Sequence, residues 1–305
     1  RAFGHNPPAA RNRLRCSGFP FMDHVLTLIA APGRAVLSAD TVATVAEALA
    51  AAGAEPARSA DWLGEGEACD LPFTDLEATA AAVAARAVIE AAGLPVDGAA
   101  QPAENRRRAL LVADMDATIV TGETLDELAA EAGLADRIVP ITTRAMKGEI
   151  GFEAALVERV ALLEGLPADL LEATWARMRL TPGAATLVAT MRRHGATCVL
   201  VSGGFTWFTG RVADLVGFDA HEGNSLLIAD GRLTGRVGLP ILGRDAKRAA
   251  LDRYRRQLGV APAATMAVGD GANDVPMLLD AGMGVAFRGK PLVRSAVAEA
   301  GGALV

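Results

Sequence analysis

Four short stretches of this 305-residue chain carry side chains that could do chemistry together. Asp114 and Asp116 stand two residues apart, directly after the apolar run Leu110–Ala113. Ser202-Gly203-Gly204 closes the apolar stretch ATCVLV that begins at Ala196. Lys247 lies in a charged segment, and residues 269–274 read GDGAND, with Asp270, Asn273 and Asp274. Two carboxylates so close repel unless a cation sits beside them, and a hard divalent ion such as Mg²⁺ takes oxygen ligands of this kind. A hydroxyl and glycine N–H groups suit an anion, and a lysine adds one positive charge. The set fits phosphoryl transfer, where positioning and charge neutralisation do most of the work. There is no GxxxxGK[ST], and GDGAND is not GxGxxG, so neither a P-loop nor a dinucleotide fold is expected. Without a P-loop, a carboxylate nucleophile is the simplest phosphoryl acceptor. Each stretch alone has a plainer reading: Asp116 as a turn cap, Asp114 as a solvated strand end, Lys247 as an ordinary helix lysine.

Such groups need strands that end in one place. Leu110–Ala113 reads as a buried strand of a parallel sheet, and open α/β sheets gather ligands at the carboxyl ends of their strands. On an extended backbone, residues two apart point the same way, so both aspartates are expected to face one site. Ala196–Val201, Thr265–Val268 and Gly284–Phe287 read as further strands. About eighty residues separate the first two, too many for one crossover helix. Helical patterns over Thr124–Ala132, Ile141–Lys147, Phe152–Leu163 and Ala168–Arg179 fill that gap and predict an inserted helical cap at about 123–181. Ser225–Val237 reads as a hairpin turning at Asp230-Gly231, and Asp245–Leu258 as the helix that bears Lys247.

Upstream, the pattern predicts a strand at His24–Ala30 and a helix capped by Ser38 and running to about Ala52. Two short strands within Arg58–Leu71, a helix from Thr74 or Asp75 to about Ala92, and a strand over Pro95–Pro102 follow. That is the split βαβ order of a small α+β domain. The expected fold is therefore α/β, a Rossmann-like parallel-sheet core with an inserted helical cap, preceded by a βαββαβ domain. The linker Gln101–Arg108 carries three arginines expected to be solvated. Residues 1–21 are basic, rich in proline and arginine, and lack an apolar signal core. They are expected to be a disordered or non-native extension before a natural start at Met22, leaving domains at 22–103 and 104–305. The net charge of −6 gives no sign of nucleic acid or an anionic membrane as partner. No apolar run approaches the ~18 residues of a membrane helix. Cys16, Cys69 and Cys198 form no CxxC pair, which fits a reducing cytoplasm.

The motifs also carry a resemblance. DMDAT at 114–118 resembles the DxDx[TV] signature of the haloacid dehalogenase superfamily of phosphotransferases, and Ser202, Lys247 and GDGAND match its other three motifs in order. ETLDELAAEAG, RAMKGEIGFEAALVERVALL, VLVSGGF and MAVGDGANDVPML sharpen the likeness to the phosphoserine phosphatases, over about Ala109–Lys290. Ala117 departs from the serine or glycine of many members, at a side chain the chemistry does not need. The segment before it resembles the ACT-like amino-acid-binding modules that some bacterial members carry.

This resemblance implies Mg²⁺-dependent hydrolysis of O-phospho-L-serine, the last step of serine biosynthesis, in the cytoplasm. It implies Asp114 as the nucleophile that becomes an aspartyl-phosphate. Asp116 would protonate the leaving serine oxygen and then activate water. Mg²⁺ would be held by Asp114, the Asp116 carbonyl and Asp270, with Asp274 near the ion or its waters. Ser202 and Gly203 would bind phosphoryl oxygens, Lys247 would neutralise charge, and Asn273 would either bond phosphate or shape its turn. Thr118 would close the loop after Asp116. From the cap, Arg159 would clamp the substrate carboxylate, Glu123 would accept from the ammonium, and Met146 and Phe152 would wall the pocket. Taken singly, these four read as a surface ion-pair former, a helix N-terminal acid and two core residues. The expected partner is the small-molecule substrate, with no nucleic acid and no membrane; a homodimer and serine binding by the N-terminal module are left open. Two other functions compete. One is turnover of another small phosphomonoester, against which Glu123 with Arg159 speaks. The other is an amino-acid sensor with a vestigial catalytic half, against which the complete motif set speaks.

Overall fold

The computed structural model describes residues 22–31, 37–57, 59–146, 149–243 and 245–305, with the backbone alone at Met146. The expectations for residues 1–21, Cys16 among them, and for the Met146 side chain lie outside the described residues. The chain divides into two compact units between Arg106 and Arg107.

The first unit holds strands β1 His24–Ala30, β2 Glu55–Pro56, β3 Asp61–Gly64, β4 Ala68–Thr74 and β5 Val96–Pro102. All pairings are antiparallel, in the order β2-β4-β1-β5, with β3 also on β4. The two-residue β2 was not expected, and β4 runs on to Thr74. Asp75 then turns at a φ of 64°, so the second helix starts at Ala78 rather than at Thr74 or Asp75. Ser38 caps the first helix, Ala39–Ala51, by accepting the Thr41 N–H at 3.1 Å. Both helices pack on the face that carries Leu26, Leu28, Leu71 and Phe73. Strand alternation sends Thr27 and Asp70 to the other face, where the Thr27 hydroxyl donates to Asp70 at 2.8 Å. Arg106 forms an ion pair with that same buried carboxylate.

Two of the three linker arginines therefore differ from expectation, while Arg107 is exposed. Arg106 is held by Asp70, and Arg108 is buried and donates to the Ala263 carbonyl at 2.6 Å. Their partners lie 36 and 155 residues away. Local charge density reads as solvation because such distant acceptors leave no local signal.

The second unit is built on a six-stranded parallel sheet: β6 Leu110–Ala113, β7 Thr197–Phe205, β8 Ala220–Asn224, β11 Thr265–Gly269, β12 Met283–Ala286 and β13 Ala303–Leu304. Its order is β13-β12-β11-β6-β7-β8. Alternate residues feed two cores: Leu111, Ala113, Cys198 and Leu200 face one layer of helices, and Leu110, Val112, Val199 and Val201 face the other. Burial on both faces is why β6 is continuously apolar instead of alternating.

Between β6 and β7 lie the cap helices Thr124–Glu131, Ala135–Met146, Phe152–Ala161 and Asp169–Arg177. The second starts six residues earlier than expected and carries Pro140 inside. The chain enters and leaves the cap side by side. Thr121 N–H bonds the Arg179 carbonyl at 3.0 Å, and Thr181 N–H bonds that of Ile119 at 2.9 Å. Strands β9 Leu226–Ala229 and β10 Arg232–Val237 form the expected hairpin, with Asp230 and Gly231 at φ of 49° and 70°. That pair of left-handed residues suits a type I′ turn.

Candidate active site

β6 stops at Ala113, and the Asp114 carboxylate turns back to accept the Met115 N–H at 2.7 Å. The same oxygen, Oδ1, meets Lys247 Nζ at 2.7 Å, and that ammonium reaches Asp274 Oδ1 at 2.5 Å. Lys247 is only 4% exposed, so it is not a solvated helix lysine. It projects from the face of helix Ala246–Leu258 that buries Ala250 and Leu251. Burial would lower its pKa, but the Asp114 and Asp274 carboxylates override that and hold it above its ordinary value. Burial and then Asp274 push the Asp114 carboxyl well up, against the pull of Lys247.

Asp116 reaches the pocket by a turn, not by strand alternation. Ala117 takes a φ of 51°, a conformation glycine adopts without cost and alanine at roughly 1–2 kcal/mol. Asp116 Oδ1 accepts both the Thr124 N–H, at 2.8 Å, and the Thr124 hydroxyl. Its Oδ2 accepts the Ser202 hydroxyl at 2.9 Å. Asp116 therefore does more than cap its own turn. One oxygen anchors the first cap helix and the other faces the serine.

Asp114, Asp270 and Asp274 can each offer an oxygen within 4.8 Å of the others, and all three are buried. Lys247 supplies one compensating charge, and Lys290 Nζ stands 3.7 Å from Asp270. Burial and Asp274 raise the Asp270 pKa. Three clustered carboxylates out of water are costly unless cations compensate. The all-oxygen donor set fits a hard divalent ion. Thr118 is buried beside this cluster, its hydroxyl 3.5 Å from Asp270.

The cap brings the second half of the pocket. Glu123, Phe152 and Arg159 line the same pocket as Asp114, Ser202 and Asn273. Arg159 is tethered at two nitrogens, Nε to the Ala155 carbonyl at 3.2 Å and Nη1 to Thr142 Oγ1 at 3.4 Å. Burial lowers its pKa, with Asp126, Glu123 and Asp116 opposing. Glu123 keeps solvent access, yet burial of its carboxyl, then Asp116 and Asp270, push it up to about 7. The Phe152 ring lies on Gly203, where a Cβ would come within 2.8 Å of the ring. Only glycine lets the cap sit this close to the Ser202–Gly204 turn.

One pocket residue and one that holds a pocket residue escaped the sequence reading. Lys290 follows the end of β12 and lines the same pocket. The strand-end rule that selected the other motifs would have found it. Thr124 holds Asp116; it stands inside ETLDELAAEAG at the start of a helix, a spot that suits many threonines, and neither mark names its partner.

Residues 111–279 match the haloacid dehalogenase-like hydrolase family. The chain is similar to a phosphoserine phosphatase from Archaeoglobus fulgidus, 45% identical over 217 residues that make up 70% of this chain and 63% of that protein. It therefore spans less than two thirds of that relative's length. A phosphoserine phosphatase from Streptococcus thermophilus is 44% identical over 187 residues, 61% of this chain and 87% of that protein. Among solved structures, a phospho-aspartyl intermediate analogue of phosphoserine phosphatase aligns with a TM-score of 0.59 and 36% identity, over 63% of this chain and 91% of that one.

Proposed function

This chain belongs to the haloacid dehalogenase-like hydrolases, and from that premise we propose that it hydrolyses O-phospho-L-serine to L-serine and phosphate. The observation that carries the reading is one pocket lined by two chemically different sets of side chains. Asp114, Ser202, Gly203 and Lys247 of its lining suit a phosphoryl group, and Glu123 and Arg159 of the same lining suit an ammonium and a carboxylate. An amino acid esterified to phosphate is the small molecule that needs both.

Asp114 attacks phosphorus, giving an aspartyl-phosphate and breaking the bond to the serine oxygen. Met115 N–H and Lys247 fix the rotation of its carboxylate in advance, which lowers the entropic cost of attack. Asp116 gives a proton to the leaving oxygen, then takes one from the water that cleaves the acyl-phosphate. Ser202 Oγ and the Gly203 N–H hold phosphoryl oxygens, and Asn273 lines the same pocket. Mg²⁺, held by Asp114, the Asp116 carbonyl and Asp270 with Asp274 beside them, would offset the charge of the phosphoryl group. Phe152 walls the serine side. The enzyme works in a reducing cytoplasm as the last step of serine biosynthesis. Cys69 and Cys198, both free and buried, support that setting, and no described helix is long and apolar enough to cross a membrane. Phosphate release from phosphoserine, with and without Mg²⁺, tests the proposal. Turnover that survives excess chelator refutes the metal, and turnover of other phosphomonoesters in preference to phosphoserine refutes the substrate.

A further inference from the structure

β7 and β8 pair out of step at the point where chemistry begins. Val201 lies opposite Glu222, but Phe205 lies opposite Asn224. Four residues of β7 are thus matched to two of β8, and Ser202-Gly203-Gly204 bulge out of the ladder toward the pocket. A bulge re-aims side chains at the expense of ladder hydrogen bonds, so something else must hold it. Gly223 lets β8 press in from behind, since a Cβ there would stand 3.0 Å from the Gly204 carbonyl oxygen.

The holding group is Asn224, 1% exposed. Its Nδ2 donates to the Gly203 carbonyl at 2.8 Å and to the Leu242 carbonyl at 3.4 Å, while its Oδ1 accepts the Leu242 N–H at 2.7 Å. Two carbonyls on one side and an N–H on the other admit an amide; a carboxylate would turn an acceptor toward acceptors. The Gly203 carbonyl shares a planar peptide with the Gly204 N–H, which points the opposite way. That N–H donates to Ser202 Oγ at 2.8 Å, and Ser202 Oγ donates to Asp116 Oδ2 at 2.9 Å. The links run without a break from Asn224 through one peptide plane and one hydroxyl to the acid–base carboxylate.

We propose that Asn224 is a positioning residue for phosphoryl transfer: it fixes the Gly203–Gly204 peptide, and through it the position of Ser202 Oγ, whose one proton goes to Asp116 in the ligand-free chain and turns to a phosphoryl oxygen when substrate binds. The inference rests on the catalytic roles given above to Ser202 and Asp116, but not on phosphoserine being the substrate.

The test uses the full chain with Asn224→Asp, Ser202→Ala and both together. Asn224→Asp keeps shape and the bond from Leu242 N–H but cannot donate to Gly203. It is expected to lower kcat about 10-fold on phosphoserine and on an aryl phosphate alike, with KM little moved, since one orienting hydrogen bond is lost and no substrate contact. In the double variant the Asn224→Asp loss should largely vanish, because the hydroxyl through which it acts is gone. Hydrogen exchange at the Gly204 amide, which needs no turnover, should quicken in either single variant. Losses that multiply, or Gly204 exchange unchanged in Asn224→Asp, overturn the proposal. So does a fallen melting temperature with kcat intact, which would make Asn224 structural only. If circular dichroism shows Asn224→Asp unfolded, Asn224→Ser takes its place with the same readouts. A wild type that cleaves the aryl phosphate but not phosphoserine refutes the proposed substrate instead, and the aryl phosphate and exchange arms still decide this inference.

Discussion

Arg159 offers the most discriminating test of substrate choice. Its guanidinium is anchored at two of its three nitrogens, by Nε to Ala155 and Nη1 to Thr142. The Nη2 group has no acceptor among the described residues, and the side chain lines the pocket beside Glu123. A planar fork held in this way is pre-organised for a carboxylate. Arg159→Ala removes two kinds of interaction. The bonds to Ala155 and Thr142 stabilise the cap whatever substrate is present, and each is worth roughly 1 kcal/mol or less at these lengths. The bidentate contact exists only with a substrate that carries a carboxylate. It is worth about 2–4 kcal/mol when largely desolvated, or on the order of 30- to 1000-fold in kcat/KM. The ratio of kcat/KM for phosphoserine to that for an aryl phosphate cancels the first kind and isolates the second. That ratio should fall by this factor in Arg159→Ala. Arg159→Lys should recover only part of it, because an ammonium cannot present the fork. Equal losses on both substrates would show that Arg159 merely supports the cap, and phosphoserine selectivity would then rest on Glu123 alone.

Asp114→Asn should leave the circular dichroism spectrum unchanged and abolish turnover, because an amide cannot form the acyl-phosphate; substantial residual hydrolysis would move the nucleophile elsewhere. Lys247→Met strands two buried carboxylates without their cation and should cost about 3–5 kcal/mol in urea unfolding with chelator present. Millimolar Mg²⁺ should return a good part of that loss, and no recovery would argue against a cation among these carboxylates. Glu123 has its carboxyl pushed up to about 7 in the ligand-free chain, so below that pH it is protonated, neutral and a poor partner for an ammonium. The KM for phosphoserine should therefore rise as pH falls through about 7, while KM for an aryl phosphate should not. Glu123→Gln should flatten the difference, and a limb that persists in that variant would belong to another group.

The sequence alone marked the chemistry because parallel-sheet enzymes write it locally. An apolar run ends, and the next few residues carry the function. That rule selected Asp114, Ser202 and Asp270, and a charged helix supplied Lys247. The eighty-residue gap and its helical periodicity gave the cap, and the turn signal Asp230-Gly231 gave the hairpin. What remained hidden depends on partners far away in sequence. Lys247 could not be told from a solvated lysine until Asp114 and Asp274 closed on it, 27 residues away in the second case. Arg106 and Arg108 looked solvated until Asp70 and Ala263 received them. Asn224 lies in no quoted motif and Thr124 only inside ETLDELAAEAG, and neither place tells which group it meets, since their hydrogen-bond partners are brought up by the fold. The bulge at Ser202–Gly204 exists only as a mismatch between β7 and β8. Local pattern records which residues leave water and where strands stop. Which polar groups then meet is decided by how the elements pack, because a buried donor or acceptor takes whatever partner the fold brings within about 3 Å.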